Sequence, residues 1–368
     1  MADTTDFPEL APYTVPLDDT EILSRFRAIA RQGALRHALP GVYGGLDDDF
    51  GALCQTHRRL GETSRDPGLL LMLNAHLWGA VFPLLLYGSD AQKQSFLPKL
   101  IAGQWLGGHA ITEPACGSDV QAMNTHAERN ASGFVLNGEK RYITNAPLAD
   151  WLVVYAKLDD KVSAFLLGRE DVGCAFNADG KLNACRGSAT GGVRLENCQI
   201  GAERLLGKPG AGAQMMQKAL EYERAFVFAG IAGIMEWQLD EAIRHSRQRR
   251  SGATHLGRHQ AISHRIADMK LRLDTIDLWL NECVRICNTG KRLTLASAQT
   301  KLYAAEAFLQ SCLDTVQILG AAGLETGGVM SPLVQDAMAG RLFSGSSEVQ
   351  KNLIAALLGT GDAYRGGL

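Results

Sequence analysis

The sequence predicts a mainly helical α+β protein: an N-terminal helical domain, a central antiparallel β-domain and a C-terminal four-helix bundle. Helical periodicity fills the chain to about residue 105 and returns from about residue 212. The stretch between them alternates apolar and polar residues, and it pairs strands around the turn signals Asn137-Gly138 and Asp159-Asp160. We therefore expect domains at residues 1–107, 108–205 and 206–368.

The composition is that of an ordinary globular protein. The chain has 368 residues, of which 46% are hydrophobic and 21% charged, and a net charge of −2. That length suffices for two or three subdomains, and the balanced charge gives no electrostatic case for nucleic acid or a membrane surface. The acidic, proline-containing N-terminus lacks the basic and apolar segments of a targeting peptide, which predicts a cytoplasmic protein.

No metal site is expected. The eight cysteines have no metal-ligand spacing, so reduced and mostly buried thiols are the expectation. His255 and His259 are four residues apart, but no HExxH motif or third ligand accompanies them. We interpret them as surface or interface histidines.

The N-terminal domain contains one apolar run, residues 68–86, that approaches membrane-spanning length. Asn74, His76 and Pro83 interrupt this run, and no basic cluster flanks it. It therefore predicts two buried helices joined near Pro83 rather than a segment inserted in a membrane.

The stretch from His109 to Asp119, HAITEPACGSD, opens the β-domain. It begins like a strand, and the small residues after Pro114 allow a close turn with free N–H groups, which suits a flat, polar-edged ring or an anion. Alone, an ordinary turn is the better interpretation. A second strand, Arg141 to Asn145, ends in hydroxyl and amide groups and is reached through the hairpin signal Asn137-Gly138. Together the two strands predict a binding platform.

These two segments resemble those of the acyl-CoA dehydrogenase family of flavoproteins, whose middle domain carries a TEP-x-x-GSD segment and a downstream aromatic-I-T-N segment. The resemblance implies bound FAD. In the family the first segment lines the pyrimidine side and N5 edge of the flavin, and the second lies against the ring face. The positions that carry this over are Ile111, Thr112, Gly117 and Ser118 in the first segment and Tyr142, Ile143 and Thr144 in the second.

Two long apolar stripes mark consecutive helices of the C-terminal region. Stripes of this length on helices joined by short links predict a four-helix bundle with part of each stripe available to a partner subunit. The stripe residues are Ile262, Ile266, Met269, Leu273, Ile276 and Leu280 in one helix and Ala298, Leu302, Ala305, Leu309, Cys312, Val316 and Leu319 in the next.

Glu223 interrupts a third apolar stripe, on the helix that contains MMQKALEYERAFVFAGIAGIM. Its neighbours three and four residues away are apolar, so no lysine or arginine of its own helix neutralises it. A buried carboxylate of this kind should have a raised pKa, which suits a general base. A buried Glu paired with an Arg from another helix is an equally good interpretation. Glu221, two positions away, is expected to be an exposed ion-pair residue.

The family resemblance decides between these interpretations in favour of the base. Most members place the catalytic Glu near the C-terminus, and here Ser344 occupies that position. A minority branch, similar to isovaleryl-CoA and prolyl-carrier-protein dehydrogenases, uses instead the Glu of an E-R segment followed by A-G, which the stretch from Glu223 to Gly230 resembles. The resemblance implies that Glu223 removes the α proton while the backbone N–H of Ser344 stabilises the thioester oxyanion.

The resemblance implies further contacts. Some FAD contacts come from a neighbouring subunit in the family, so a homotetramer or dimer is expected. Gly252 stands where relatives have an aromatic residue, and Glu348 stands where they have a glutamine. The additional cofactor-binding candidates are Arg249, Gln317, Gly320, Ala321, Ser346 and Glu348, and the substrate-binding candidates are Ser118, Tyr222, Arg224 and Gly345.

The leading hypothesis is therefore FAD-dependent α,β-dehydrogenation of an acyl thioester carried by CoA or by an acyl carrier protein, with a prolyl group among the options. The electron acceptor is an electron-transferring flavoprotein or oxygen. One alternative is a flavin-dependent monooxygenase on the same fold. Another, from a different class, is a binding protein that has lost its flavin. Neither nucleic acid nor membrane insertion is expected.

Overall fold

The structure is a computed structural model that describes residues 7–8, 10–13, 17–177, 179–180 and 182–361. The chain divides into two compact units that alternate along the sequence. The sheet unit comprises Leu17–Asp49 and Leu71–Glu223. The helical unit comprises Phe50–Leu70 and the described residues from Arg224 onward, with the few described residues at the N-terminus. The division into three domains at residues 107 and 205 stays a prediction.

The helices lie at both ends of the chain, as the periodicity predicts. Two of them begin with a reciprocal capping box, formed by Asp18 with Glu21 and by Ser89 with Gln92. In chain order they are α1 (Asp19–Arg31), α2 (Phe50–Ser64), α3 (Pro67–His76), α4 (Phe82–Tyr87), α5 (Asp90–Ile101), α6 (Gly212–Phe226), α7 (Phe228–Gln248), α8 (Gln260–Asn288), α9 (Thr294–Leu319), α10 (Met330–Gly340) and α11 (Ser347–Leu357).

The strands between α5 and α6 form one mixed, mainly antiparallel sheet. They are β1 (Gly107–Ala110), β2 (His126–Arg129), β3 (Gly133–Thr144), β4 (Trp151–Leu158), β5 (Lys161–Gly168), β6 (Cys174–Asn177), β7 (Thr190–Gly201) and β8 (Leu205–Leu206). Their order is β6-β7-β3-β2-β4-β5-β8, and β1 and β2 both pair with β4 in parallel. Two short strands, β9 (Arg250–Ser251) and β10 (Thr254–His255), form a separate hairpin in the helical unit. The expected fold class is confirmed.

One of the two predicted turns is correct and the other is wrong. Asp159 and Asp160 both adopt left-handed conformations and join β4 to β5. Asn137-Gly138, in contrast, lies inside the continuous strand β3, where the register with β7 shifts. Gly138 has φ 146°, and a Cβ there would lie 2.6 Å from the hydroxyl of Thr125. Glycine is therefore required here by the irregular strand and by the close approach of Thr125, and not by a hairpin turn.

The apolar run after residue 66 is one continuous helical rod, and the predicted break near Pro83 is absent. A π-helical segment, Leu77–Val81, joins α3 directly to α4. Pro83 is the second residue of α4, and the π-helical turn before it accommodates the missing N–H. Two stretches, Pro67–Tyr87 and Thr294–Leu324, are long and apolar enough to cross a membrane. In Pro67–Tyr87, 89% of the apolar segment is buried inside the protein. Such burial is expected of a helix in a protein core.

The helical unit is built around α7, α8 and α9. α2 lies close along α7, because glycines meet at the crossing: a Cβ on Gly61 would lie 1.8 Å from the carbonyl oxygen of Gly230. The predicted stripe of α8 is buried at its centre, at Met269, Leu273, Ile276 and Leu280.

The helix α9 is buried on more sides than one apolar stripe predicts. Its buried residues include Lys301 and Asp314. Arg265 donates to Asp314 across 2.6 Å, and Arg272 binds the other carboxylate oxygen. Ion pairing therefore allows a helix with polar residues on its inner side to lie at the centre of the unit.

His76 in the sheet unit makes the fold sensitive to acid. Its Nδ1 accepts the N–H of Gly107 at 2.9 Å, so Nε2 carries the proton and donates to the carbonyl of Leu100 at 3.1 Å. Complete burial lowers the pKa of His76 to about 4. Because the unfolded chain binds this proton near pH 6.5 and the folded chain only near pH 4, stability is lost as the pH falls through that window.

We expect the unfolding free energy to fall by about 3 kcal/mol between pH 7 and pH 4 from this residue alone. Denaturant unfolding across this range measures it, with His76→Gln as the comparison because glutamine does not titrate. The stability difference between the two proteins should shrink on acidification. Parallel curves would contradict the assignment.

Candidate active site

The turn that follows β1 is held by a buried ion pair. Lys140 of β3 has no exposed surface, and its Nζ donates to Glu113 Oε1 at 2.8 Å and to the carbonyl of Ile111 at 3.0 Å. Glu113 also accepts the backbone N–H groups of Asn124 and Thr125. Burial lowers the pKa of Lys140, and the hydrogen bond from Lys140 helps to hold the pKa of Glu113 below its ordinary value despite burial. The two predicted segments are thereby tied together.

The end of β3 presents an aromatic ring to solvent. Tyr142 adopts a left-handed conformation, φ 58°, at the point where the register with β7 shifts. Its side chain is 48% exposed beside the guanidinium of Arg141. Asn145, two residues after the buried Ile143, donates its amide to the carbonyls of Met72 and Gly107 and anchors the strand end. The backbone therefore turns one ring outward while its neighbours hold the platform in place.

The seven predicted flavin-contacting residues lie in these two segments, and their chemistry fits a flat ring with polar edges. Arg141 N–H donates to the carbonyl of Thr112 at 2.9 Å, so the segments are adjacent. The space beside Gly117 is open, since a Cβ there would meet nothing within 4 Å. Ile111 and Ile143 are buried, Thr112 and Thr144 are half-buried, and Gly117, Ser118 and Tyr142 are exposed.

Glu223 lies near the end of α6 and is 4% exposed, as the sequence predicts for an interrupted apolar stripe. The residue before it, Tyr222, stacks on Trp78 at a centroid distance of 5.8 Å and packs against Phe82 at 5.4 Å. Glu221 pairs with Lys218 at 3.2 Å, although it is less exposed than expected. Glu223 itself, with 4% of its surface exposed, has little access to water.

His109 is the residue of this region that the sequence analysis did not identify. Its Nε2 lies 3.7 Å from Glu223 Oε2, and its side chain is 15% exposed. Burial lowers the pKa of His109 and the charge of Glu223 opposes that shift, so the imidazole is neutral at neutral pH. The available signal was a titratable side chain in a strand of small residues, two positions before Ile111.

The helical unit contains the second set of candidates. Ser344 and Gly345 both have left-handed backbones, with φ 56° and 90°. Arg224 Nε donates to the carbonyl of Ser344 at 2.9 Å, and the Gln350 amide donates to both carbonyls, at 3.3 and 2.9 Å. The orientation of this turn is thus fixed by two side chains. Arg224, predicted to bind substrate, is buried here and binds protein backbone.

The remaining cofactor candidates lie on the surface of the helical unit. Gly320, with φ 64°, ends α9, and Ser346 caps α11 by accepting the N–H of Val349. Near Arg249 lies a cavity of about 470 Å³ whose lining includes Arg247, His255 and Arg258. The exposed candidates are Arg249, Gln317, Gly320, Ala321 and Glu348. Within the described residues no group of three or more His, Cys, Asp or Glu side chains could hold a metal ion.

Family models and individual proteins match the chain over most of its length. The N-terminal, middle and C-terminal domain models of acyl-CoA dehydrogenase match residues 8–104, 108–198 and 210–359. L-prolyl-[peptidyl-carrier protein] dehydrogenase of Pseudomonas fluorescens is 34% identical over 88% of this chain and 87% of its own length. Mitochondrial isovaleryl-CoA dehydrogenase of Arabidopsis thaliana is 35% identical over 86% and 78%. The crystal structure of the prolyl acyl carrier protein oxidase AnaB superposes with a TM-score of 0.90, at 31% identity, over 92% and 90%.

Proposed function

The chain belongs to the acyl-CoA dehydrogenase family, and from that premise we propose that Glu223 is the general base that removes the α proton of a bound acyl thioester. The protein is an FAD-dependent oxidoreductase that acts on CH–CH bonds of acyl thioesters. Bound FAD supplies the acceptor for the β hydride. The residues of the chain hold the substrate, exclude water and take the proton.

The observation that carries the proposal is the burial of Glu223. A carboxylate that is 4% exposed is poorly hydrated, which suits a group that must take a proton from carbon. The neighbouring His109 is neutral and does not cancel that charge. The α proton of a thioester is weakly acidic, and a base with little hydration suits its removal.

The enolate-like charge that develops on the thioester oxygen needs a donor, and we assign it to the backbone N–H of Ser344. A backbone donor does not depend on the side chain, so serine at this position can keep the role without acting as a base. The turn is held by Arg224 and Gln350, which supports a fixed direction for its peptide groups. Gly345 adjoins it, and a Cβ there would lie 2.7 Å from the Gln350 amide.

The platform of the sheet unit is the proposed flavin site. Tyr142 offers a ring face, and Thr112, Ser118 and Thr144 offer hydroxyl groups at its edges. The cofactor candidates of the helical unit would reach the pyrophosphate and adenine side from a neighbouring subunit; they are the exposed Arg249, Gln317, Gly320, Ala321 and Glu348 and the half-buried Ser346.

We assign the substrate to the aminoacyl thioesters, with a prolyl group on a carrier protein as the leading candidate. Two of the similar proteins act on prolyl groups of carrier proteins, one named a dehydrogenase and the other an oxidase. The isovaleryl-CoA relative makes a branched acyl-CoA the second candidate. The names dehydrogenase and oxidase support an electron-transferring flavoprotein or oxygen as the acceptor. The bacterial source of the prolyl-carrier-protein relative favours the cytoplasm as the location.

A homotetramer, or a dimer as its half, is the proposed assembly. Leu271 and Leu278 of α8 are 65% and 71% exposed, and Leu342 is 69% exposed. Large aliphatic side chains on one helix are typical of a face that a partner covers. Light scattering during size-exclusion chromatography measures the mass, and a monomer would contradict the proposal.

Anaerobic mixing with a panel of thioesters tests the function. We expect prolyl thioesters on a carrier protein or on pantetheine to bleach the flavin absorption faster than isovaleryl-CoA or butyryl-CoA. The identity of the product follows from mass spectrometry, which should show the loss of two hydrogens. A protein whose flavin no thioester of the panel bleaches would contradict the proposed function.

A further inference from the structure

Glu223 and His109 form a pair inside the sheet unit. Nε2 of His109 lies 3.7 Å from Oε2 of Glu223, and the two side chains are 15% and 5% exposed. The gap is about half an ångström longer than a hydrogen bond, so a small rotation of either side chain closes it. The mechanism above gives the histidine no role.

We propose that His109 is a positioning residue that acts through Glu223, turning one N–H toward the carboxylate that removes the proton. This inference rests on the proposed function, because it presupposes that Glu223 is the base. His109 itself gains and loses no proton during the reaction. The α proton passes from substrate carbon to the Glu223 carboxylate, and the C–H electron pair stays on carbon.

The position of His109 is set by the neighbouring helix. β1 pairs with β4 in parallel, which aligns His109 with Val153. The π-helical segment Leu77–Val81 passes behind it, and a Cβ on Gly79 would lie 2.8 Å from the backbone nitrogen of His109 and 2.9 Å from its Cγ. Only glycine leaves room for the imidazole here, and π segments interrupt helices frequently at functional sites.

The charge state of His109 follows from what surrounds it. Burial lowers its pKa, and Glu223 is the charged group that opposes the shift. The π segment contains no titratable residue, while Lys157 lies farther along β4. On β3, Lys140 is bound to Glu113, and on α6 Lys218 is bound to Glu221. The Arg224 guanidinium donates to Ser344.

A neutral imidazole has one donor and one acceptor. If Nε2 faces a carboxylate it must carry the hydrogen, and Nδ1 is then the acceptor. Nδ1 of His109 is buried and makes no hydrogen bond to any group that the structure describes. The imidazole can therefore turn its Nε2–H toward Glu223 without breaking a hydrogen bond at Nδ1.

The pH dependence of flavin reduction tests this role. In His109→Phe the carboxylate loses a neighbouring N–H, and we expect the acid limb of the rate profile to rise by about one pH unit. At a pH on that limb the rate falls about tenfold, and on the alkaline plateau it changes little. In His109→Gln the amide supplies an N–H at a similar reach, and the acid limb should stay near that of the unaltered protein.

Gly79→Ala provides a second variant, because it displaces the imidazole without removing it. The acid limb of its rate profile should rise, as in His109→Phe. The flavin spectrum and the melting temperature are recorded for each variant. A loss of rate by one factor at every pH, or equal shifts in the Phe and Gln variants, would overturn the inference. Glu223→Gln separates the two proposals: if it still bleaches, the base assignment has failed, and if it is inactive while His109→Phe keeps its acid limb, only the role of His109 has failed.

Discussion

Glu223→Gln is expected to abolish flavin reduction by the thioester while leaving the substrate bound. Glutamine keeps the shape and polarity of this buried side chain, but it cannot accept a proton. General base catalysis contributes about 10²- to 10⁴-fold, so the anaerobic bleaching rate should fall by at least about a hundredfold. Stopped-flow absorbance measures the rate, and the perturbation of the flavin spectrum on mixing measures binding.

Glu221→Gln is the matched control, because this carboxylate lies on the same helix and pairs with Lys218. Its removal should change the bleaching rate by less than about threefold, the scale of a surface ion pair. The same pair of variants distinguishes the dehydrogenase from a flavin monooxygenase, whose oxygen chemistry needs no base at this position. Full bleaching by Glu223→Gln would refute the assignment of Glu223.

The parts of the site that local sequence determines were predictable. The order of helices and strands follows from periodicity, and the burial of Glu223 follows from one polar residue in an apolar stripe. The segments around Thr112 and Tyr142 were found because turn chemistry and a family resemblance both mark them. Each of these signals lies within about ten residues of chain.

The parts that depend on tertiary contacts were not predictable. His109 reaches Glu223 across 114 positions of sequence, counted from their numbers, and neither residue signals the other. Asn137-Gly138 has the composition of a tight turn, but pairing of β3 with β7 on both sides of it keeps the strand continuous. Pro83 has the composition of a helix break, but the π segment before it absorbs the change in hydrogen bonding.

The role of Lys140 was also not predictable, because nothing in the sequence pairs it with Glu113, the glutamate of the TEP motif. Lys140→Met is expected to lower stability by about 3–5 kcal/mol, since it leaves the carboxylate of Glu113 buried without its cation. It also removes the hydrogen bond to the carbonyl of Ile111, so the turn that carries Gly117 and Ser118 loses its anchor. Denaturant unfolding measures the first effect, and the fraction of FAD retained on gel filtration measures the second. Lys208→Met, at an exposed lysine of the same unit, should change neither.

Neutralising both members of the pair separates the charge effect from the anchoring effect. In Lys140→Met with Glu113→Gln no buried charge is left, so stability should recover by more than half, whereas the backbone of Ile111 stays without its donor and FAD retention stays low. Recovery of both quantities together would mean that the pair serves the fold alone. Normal stability and normal FAD retention in Lys140→Met would show that the ion pair does not hold the platform, because a buried carboxylate that loses its cation without cost must already be neutral or hydrated.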